Sequence, residues 1–249
     1  MRERMRFKDI RLLAKERAKE DLNTLILMEV IIVIISMGIV EWARNLVTLL
    51  PFVPFALLIQ TAEEMLTNIF WAGNIFACMM VTLGMKAKVE YIFYVFQRKL
   101  KEILWLLLRK ILVTYVYMVL FLLICNALAE MFQLDTEFMK LIAKILAIIV
   151  VELRYFPALY LLLDGEEQKC GLSVRRGISM MHGNYLRLVA FWFSCIPWML
   201  IGVLLCGVGL FVIAPWIQVS LVILYMELKQ QEKIRMRKKA AEDNEQISV

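Results

Sequence analysis

Three ionisable side chains interrupt apolar stretches that are long enough to cross a membrane: Glu29, Glu152 and Arg154. A charge near mid-bilayer costs a few kcal/mol, so such groups rarely face lipid. At a rise of ~1.5 Å per residue, Glu29 and Arg154 lie at matching depths and could meet. Glu152 lies about 200° around the helix from Arg154, so it cannot easily share the same partner. Because it lies near the midplane, we expect it to be protonated or hydrogen-bonded to another helix.

Two interpretations of these three groups stay open. In the functional one they form a polar pathway for a proton or an anion. In the structural one they hold neighbouring helices together, as polar groups commonly do within membranes.

No recognisable catalytic motif accompanies these groups. The chain has no His-Glu-x-x-His, no Gly-x-Ser-x-Gly and no glycine-rich phosphate-binding loop. We therefore predict that the protein is not an enzyme and has no cofactor.

Metal and thiol chemistry are also unsupported. His182 is the only histidine, which excludes a His-rich centre. Met180 and Met181 beside it diverge by about 100° on a helix, so they cannot both bind one cuprous ion. The cysteines contain no Cys-x-x-Cys pair, and we expect neither a metal site nor a disulfide. They are Cys78, Cys125, Cys170, Cys195 and Cys206.

Apolar segments of membrane-spanning length must position these residues. The chain is 61% hydrophobic with a mean hydropathy of +0.70. Its charge-free stretch from Leu188 to Met226 divides at Gly207 into two halves, each long enough for a hydrocarbon core of ~30 Å. The prediction is an all-α polytopic membrane helix bundle. Its six spans are Leu22–Val40, Leu66–Met85, Ile111–Phe132, Leu141–Leu163, Leu188–Leu205 and Leu210–Leu228.

The distribution of Lys and Arg predicts the orientation. Cations concentrate in the N-terminal arm, the second and fourth loops and the tail, whereas the opposite side has only Arg44 and Lys140. This asymmetry favours a multi-pass protein of the cell membrane with both termini in the cytoplasm. The net charge of +6 lacks any nucleic-acid-binding motif, so we expect no nucleic-acid partner.

The predicted organisation is a basic amphipathic cytoplasmic arm over 1–21, a six-helix membrane domain over 22–228 and a cytoplasmic tail over 229–249. Leu46–Gln60 is apolar but short and contains two prolines, Pro51 and Pro54. If it spanned, the cationic second loop would face outward, so we interpret it as an interfacial or re-entrant lead-in to the second helix. The acidic end of the tail, after Lys239, has nothing to bury and is expected to be disordered.

Two cytoplasmic segments are amphipathic. In the arm, Phe7, Ile10 and Ala14 recur at helical spacing between cations, and Tyr91–Lys110 mixes apolar residues with basic ones. Both suit helices on an inner leaflet of anionic lipid, where each basic residue gains ~1 kcal/mol. Alternatively, the two segments pack on each other as a cytoplasmic cap.

The last third of the chain contains a distinctive series of aromatic, glycine, proline and polar residues: Tyr155, Tyr160, Asp164, Ser179, Gly183, Trp198, Gly207, Gly209, Pro215 and Tyr225. In these positions it resembles the bacterial membrane-protein family called domain of unknown function 975. The match is clearest over Tyr155–Leu228, and the basic opening Phe7–Asn23 is also similar. Glu166-Glu167 departs from the family, which tends to have Asn-Pro there. The resemblance implies the architecture but no mechanism, because the family is uncharacterised.

Two classes of function remain. The first is a non-enzymatic membrane scaffold, or a stress or assembly factor, that acts through its basic cytoplasmic side and anionic lipid. The second is a transporter component or permease-like subunit for a small solute. In that case the cytoplasmic helix Glu166–Gly183 could dock a partner such as an ATPase.

Overall fold

The computed structural model describes residues 5–49, 52–132, 135–167, 169–205 and 207–247. Arg2, Arg4, Pro51 and Cys206, and the side chains of Lys238 and Lys239, lie outside that description. The chain divides into two compact units. The first contains Met1–Ile32, Gly73–Ile92 and Ser179–Val249, and the second contains Val33–Ala72 and Phe93–Ile178.

Every regular element in the described residues is helical, which confirms the all-α prediction. In chain order the α-helices are α1 Phe7–Ala18, α2 Leu22–Leu49, α3 Val53–Thr82, α4 Tyr94–Arg98, α5 Leu100–Phe132, α6 Thr136–Asp164, α7 Cys170–Met181, α8 Tyr185–Leu204 and α9 Val208–Ile247, with a 3₁₀ helix at Val89–Phe93 before α4.

The prediction of six spans is also confirmed, by helix length and composition. The six helices that are long and apolar enough are α2, α3, α5, α6, α8 and α9, the last over Val208–Arg237. At 28 residues, α2 is about 42 Å long, which exceeds a hydrocarbon core of ~30 Å. The longer helices therefore extend beyond the apolar segments that the sequence marks.

In the second unit, α5 packs along α6 and α7 packs on the end of α6. Asp135 caps α6 by accepting a hydrogen bond from the backbone of Glu137, and Gly165 ends it in the left-handed conformation. Ser173 of α7 donates its hydroxyl to the backbone oxygen of Ala158 in α6. This contact is close because Gly177 has no side chain, and a Cβ there would come within 3.0 Å of the Ala158 nitrogen.

In the first unit, α8 and α9 form an antiparallel hairpin. The reversal uses Gly207 at a φ of +79°, which costs a residue with a Cβ more than it costs glycine. The two helices approach closely beyond the turn, since a Cβ on Gly209 would lie 2.9 Å from the Cα of Gly202. The predicted tight reversal of this stretch is thus present, although Cys206 itself is not described.

The described residues of Leu46–Gln60 form the end of α2 and the start of α3, with Phe52 between them, so the segment does lead into the second span, and its interfacial or re-entrant placement stays a prediction. Two other expectations about local structure are wrong. Tyr91–Lys110 is not one in-plane helix, since it comprises the end of the 3₁₀ helix, α4 and the first turns of α5. The tail is not disordered over its described residues, because the backbone of α9 remains helical to Ile247. Its Ala, Glu and Lys residues favour helix even without a buried face.

Candidate functional site

The two charges that bound the charge-free stretch pair with each other. Arg187 near the start of α8 donates to the carboxylate of Glu227 in α9 at 2.7 Å, and the side chains are only 10% and 9% exposed. Arg187 also donates to the backbone oxygen of Met5, and the Met5 N–H donates to Glu227. Gln231 adds a third donor to that carboxylate. One buried ionic network therefore ties the arm to both helices of the hairpin.

From this network, α1 runs along the hairpin. Phe7 packs edge-on against Phe191, with ring centroids 5.8 Å apart. One turn later, Arg11 donates to the backbone oxygen and the hydroxyl of Ser194 in α8, at 2.9 and 2.7 Å. The indole of Trp216 in α9 in turn donates to the backbone oxygen of Arg11 at 3.0 Å.

The apolar face of α1 is buried in protein. Ile10, Ala14 and Ala18 recur every four residues and are at most 2% exposed. The amphipathic helix in the arm is therefore confirmed. A helix lying on the inner leaflet would need a free apolar face, and this face is buried in protein instead. The cations of α1 lie beside the middle of α8, not beyond its end, because Arg11 bonds a residue about 13 Å along that helix.

The family-like positions of the last third build this hairpin. Trp198 in α8 and Trp216 in α9 meet edge to face, with centroids 5.2 Å apart. Pro215 lies within α9, and Tyr225 further along is fully buried. Together with Gly207 and Gly209 at the reversal, these residues shape the surface on which α1 packs.

The remaining family-like positions lie at α6 and α7. Tyr155 and Tyr160 are buried on α6, and Asp164 is the last residue of that helix. Ser179 is near the end of α7, and Gly183 adopts a φ of +80° just after it. Tyr155 and Tyr160 therefore pack a face of α6, and Asp164 and Gly183 mark the ends of α6 and α7.

The intramembrane carboxylate Glu29 has a buried partner. Asn74 of α3 donates its side-chain amide to Glu29 of α2 at 2.9 Å, and the two residues are 1% and 2% exposed. The amide oxygen of Asn74 has no hydrogen-bond partner although it is buried. An unsatisfied buried acceptor costs about 1–3 kcal/mol, so this polar pair is a candidate site within the first unit.

The other two groups, on α6, have partners on α5 within the second unit. Lys110 forms an ion pair with Glu152 at 2.5 Å, so Glu152 is bonded to another helix. Arg154 donates to the hydroxyl of Tyr117 at 3.3 Å. Glu29 and Arg154 thus each have a partner of their own, and the pairing of these two with each other stays a prediction.

The family model described as Protein of unknown function (DUF975) matches residues 5–232. The chain belongs to this family. The DUF975 match includes α1 and the intramembrane groups, so it extends well before the Tyr155–Leu228 region where the motifs are clearest. Neither curated proteins nor solved structures yield a match.

Four interactions were missed in the sequence: those of Asn74 with Glu29, Lys110 with Glu152, Tyr117 with Arg154, and Arg187 with Glu227. The sequence did indicate the pair of Arg187 with Glu227, because a hairpin that turns in the middle of a charge-free stretch brings the two charged residues at its ends together. Asn74 also had a signal, as an amide within an apolar segment. Lys110 had none, since it was counted among the loop cations that set the orientation.

Proposed function

We propose that this DUF975 protein is a non-enzymatic scaffold, or a stress or assembly factor, of the cell membrane. It acts through cations that its fold holds at the surface, which bind anionic lipid headgroups and acidic surfaces of membrane partners. Both termini face the cytoplasm in this proposal, as the distribution of Lys and Arg favours.

One observation carries the proposal: the first unit presents a fixed basic patch, made of Arg17, Lys86 and Lys88. The guanidinium of Arg17 lies 3.6 Å from the position of a Cβ on Gly84, whose turn precedes the two lysines. All three cations are exposed, and none has an ion pair within the described residues. Because α1 is anchored by the buried network at Arg187, Arg17 is held in place instead of moving with a free arm.

The test uses cells that lack the chain, in which membrane complexes are resolved on native gels. We expect the wild type to restore the altered complexes, and Glu29→Gln to restore them equally. A patch variant, Arg17→Gln with Lys86→Gln and Lys88→Gln, should fail although its level and melting temperature are normal. Full rescue by the patch variant would contradict the scaffold proposal.

The second candidate, a transporter component for a small solute, is favoured by the buried polar pair of Glu29 and Asn74. A carboxyl group beside an unsatisfied amide oxygen is a place where a proton or a cation could bind. In proteoliposomes loaded with a pH-sensitive dye, this alternative requires a proton flux that Glu29→Gln and Asn74→Leu both abolish. The scaffold proposal expects the same permeability for the wild type and both variants.

The orientation is tested by reporter fusions that are active on only one side of the membrane. We expect fusions after Asp135 and after Val208 to be external, and fusions after Asp164 and after Arg237 to be cytoplasmic. The fusion after Val208 is the most informative, because it reports whether the hairpin that carries α1 crosses the membrane. A cytoplasmic result there would contradict the six-crossing orientation.

A further inference from the structure

A cleft of about 680 Å³ lies between α1 and the α8–α9 hairpin, entirely within the first unit. This volume is within the range of about 300–1,000 Å³ that is typical of small-molecule sites. The lining residues are Lys8, Arg11, Leu12, Lys15, Ala18, Lys19, Leu22, Trp198, Ile201, Val212, Ile213 and Trp216.

One wall of the cleft is cationic. Lys8, Arg11, Lys15 and Lys19 follow one another at intervals of three or four residues, so they occupy one stripe of α1. Among the residues that the structure describes, no acidic one lines the cleft. Within the described part of the chain the three lysines have no ion pair, and Arg11 bonds only the uncharged Ser194. The stripe therefore has positive charge that the lining does not compensate.

The opposite wall is apolar. It consists of Ile201 of α8, Val212 and Ile213 of α9, and the edge-to-face pair of Trp198 and Trp216. Ile201 and Val212 are each 46% exposed, so this wall is open to an occupant. A ligand that satisfies both walls must combine an anionic group with a hydrocarbon chain.

We propose that the cleft binds one anionic phospholipid. Its phosphate contacts Arg11 and the flanking Lys8 and Lys15, Lys19 adds positive charge further along the stripe, and its acyl chain lies against Ile201, Ile213 and the two tryptophans. Arg11 is the fixed point of the headgroup site, because Ser194 holds its guanidinium while a fork of donors remains for phosphate. The inference rests on the proposed function only in placing the chain in a membrane that contains anionic lipid.

The tryptophans of the cleft provide the test. In the full chain, the tryptophans outside the cleft are changed to phenylalanine: Trp42, Trp71, Trp105 and Trp192. This leaves Trp198 and Trp216 as reporters in phosphatidylcholine nanodiscs with increasing amounts of a lipid that has brominated acyl chains. Brominated phosphatidylglycerol should quench them saturably and at least threefold more than brominated phosphatidylcholine at the same mole fraction.

Matched charge variants assign the preference to the cleft. Lys8→Gln with Lys15→Gln and Lys19→Gln should abolish the preference for phosphatidylglycerol, whereas a second-unit variant, Arg44→Gln with Lys140→Gln and Lys144→Gln, has the same change in net charge and should keep it. Replacing the three cleft lysines by arginine should also keep it, which controls for misfolding in the glutamine variant. Ile201→Phe narrows the cleft on its apolar side, so it should lower quenching by brominated phosphatidylglycerol without any change in charge.

Three outcomes would overturn the proposal. Equal quenching by the two lipids would show no headgroup selection, and an equal loss in the second-unit variant would show general attraction of anionic lipid. Relief of quenching by millimolar inorganic phosphate would identify a soluble anion as the ligand. The two proposals fail separately. Absence of a lipid preference, with a patch variant that fails to rescue, contradicts only the cleft proposal. Full rescue by the patch variant, with an intact lipid preference, contradicts only the scaffold proposal.

Discussion

Glu227→Gln and Arg187→Met are expected to be the most destabilising single substitutions in the first unit. Each leaves its partner's charge buried without compensation, which typically costs about 3–5 kcal/mol in the free energy of unfolding. Here the loss also releases the backbone of Met5, which both side chains bind. The measurement is reversible unfolding in mild detergent, followed by the fluorescence of the tryptophans.

The double variant, Arg187→Met with Glu227→Gln, separates the pair from its surroundings. It should cost clearly less than the sum of the two single changes, because no unpaired charge remains. Arg6→Ala is the matched control, since Arg6 forms an exposed ion pair with Asp9 in the same unit. Exposed pairs contribute about 0–1 kcal/mol, so the control should be nearly silent. Losses that add within ~0.5 kcal/mol would mean that the buried pair is not coupled.

Gly73→Ala is expected to destabilise the protein by about 1–3 kcal/mol or more, because it overpacks a contact with backbone atoms. A Cβ on Gly73 of α3 would overlap the backbone carbonyl of Ile92 in the 3₁₀ helix. A backbone group cannot rotate away as a side chain would, so the 3₁₀ helix must move off α3. The same unfolding measurement in detergent gives the size of the loss.

Gly38→Ala is the control for the chemical change itself. Gly38 also lies inside a helix, α2, but a Cβ there would meet no atom within 4 Å. Alanine at this position should therefore raise the free energy of unfolding by about 0.5–1 kcal/mol, as is usual where a helical glycine is replaced without a clash. If the two variants shift stability equally and in the same direction, the close contact of Gly73 with Ile92 does not exist.

The sequence by itself predicted the fold class, the six spans and the amphipathic helix of the arm. These follow from hydrophobic length and from helical spacing, which are local properties of the chain. The reversal at Gly207 was also predicted from a local property, because a glycine pair interrupts a charge-free stretch of twice the membrane length. Helix ends were less accurate, since α5 begins eleven residues before its apolar segment. Amphipathic turns extend a helix without adding hydrophobicity.

Only the tertiary structure decided which residues are partners. Depth along separate helices makes Glu29 and Arg154 suitable for each other, and only the structure shows that Asn74 bonds the first and Tyr117 the second. Which side chains meet depends on how each helix is rotated about its axis, and a polar residue flanked by apolar ones on all sides gives no indication of that rotation.

The position of the arm was decided in the same way. Alternating cations and apolar residues suit a membrane surface and a protein groove equally, because both present a boundary between polar and apolar surroundings. Packing resolves this ambiguity: Ile10, Ala14 and Ala18 fit against the hairpin that the sequence places more than 170 residues later. The cationic cleft between them exists only because that long-range contact forms, so no local pattern could have predicted it.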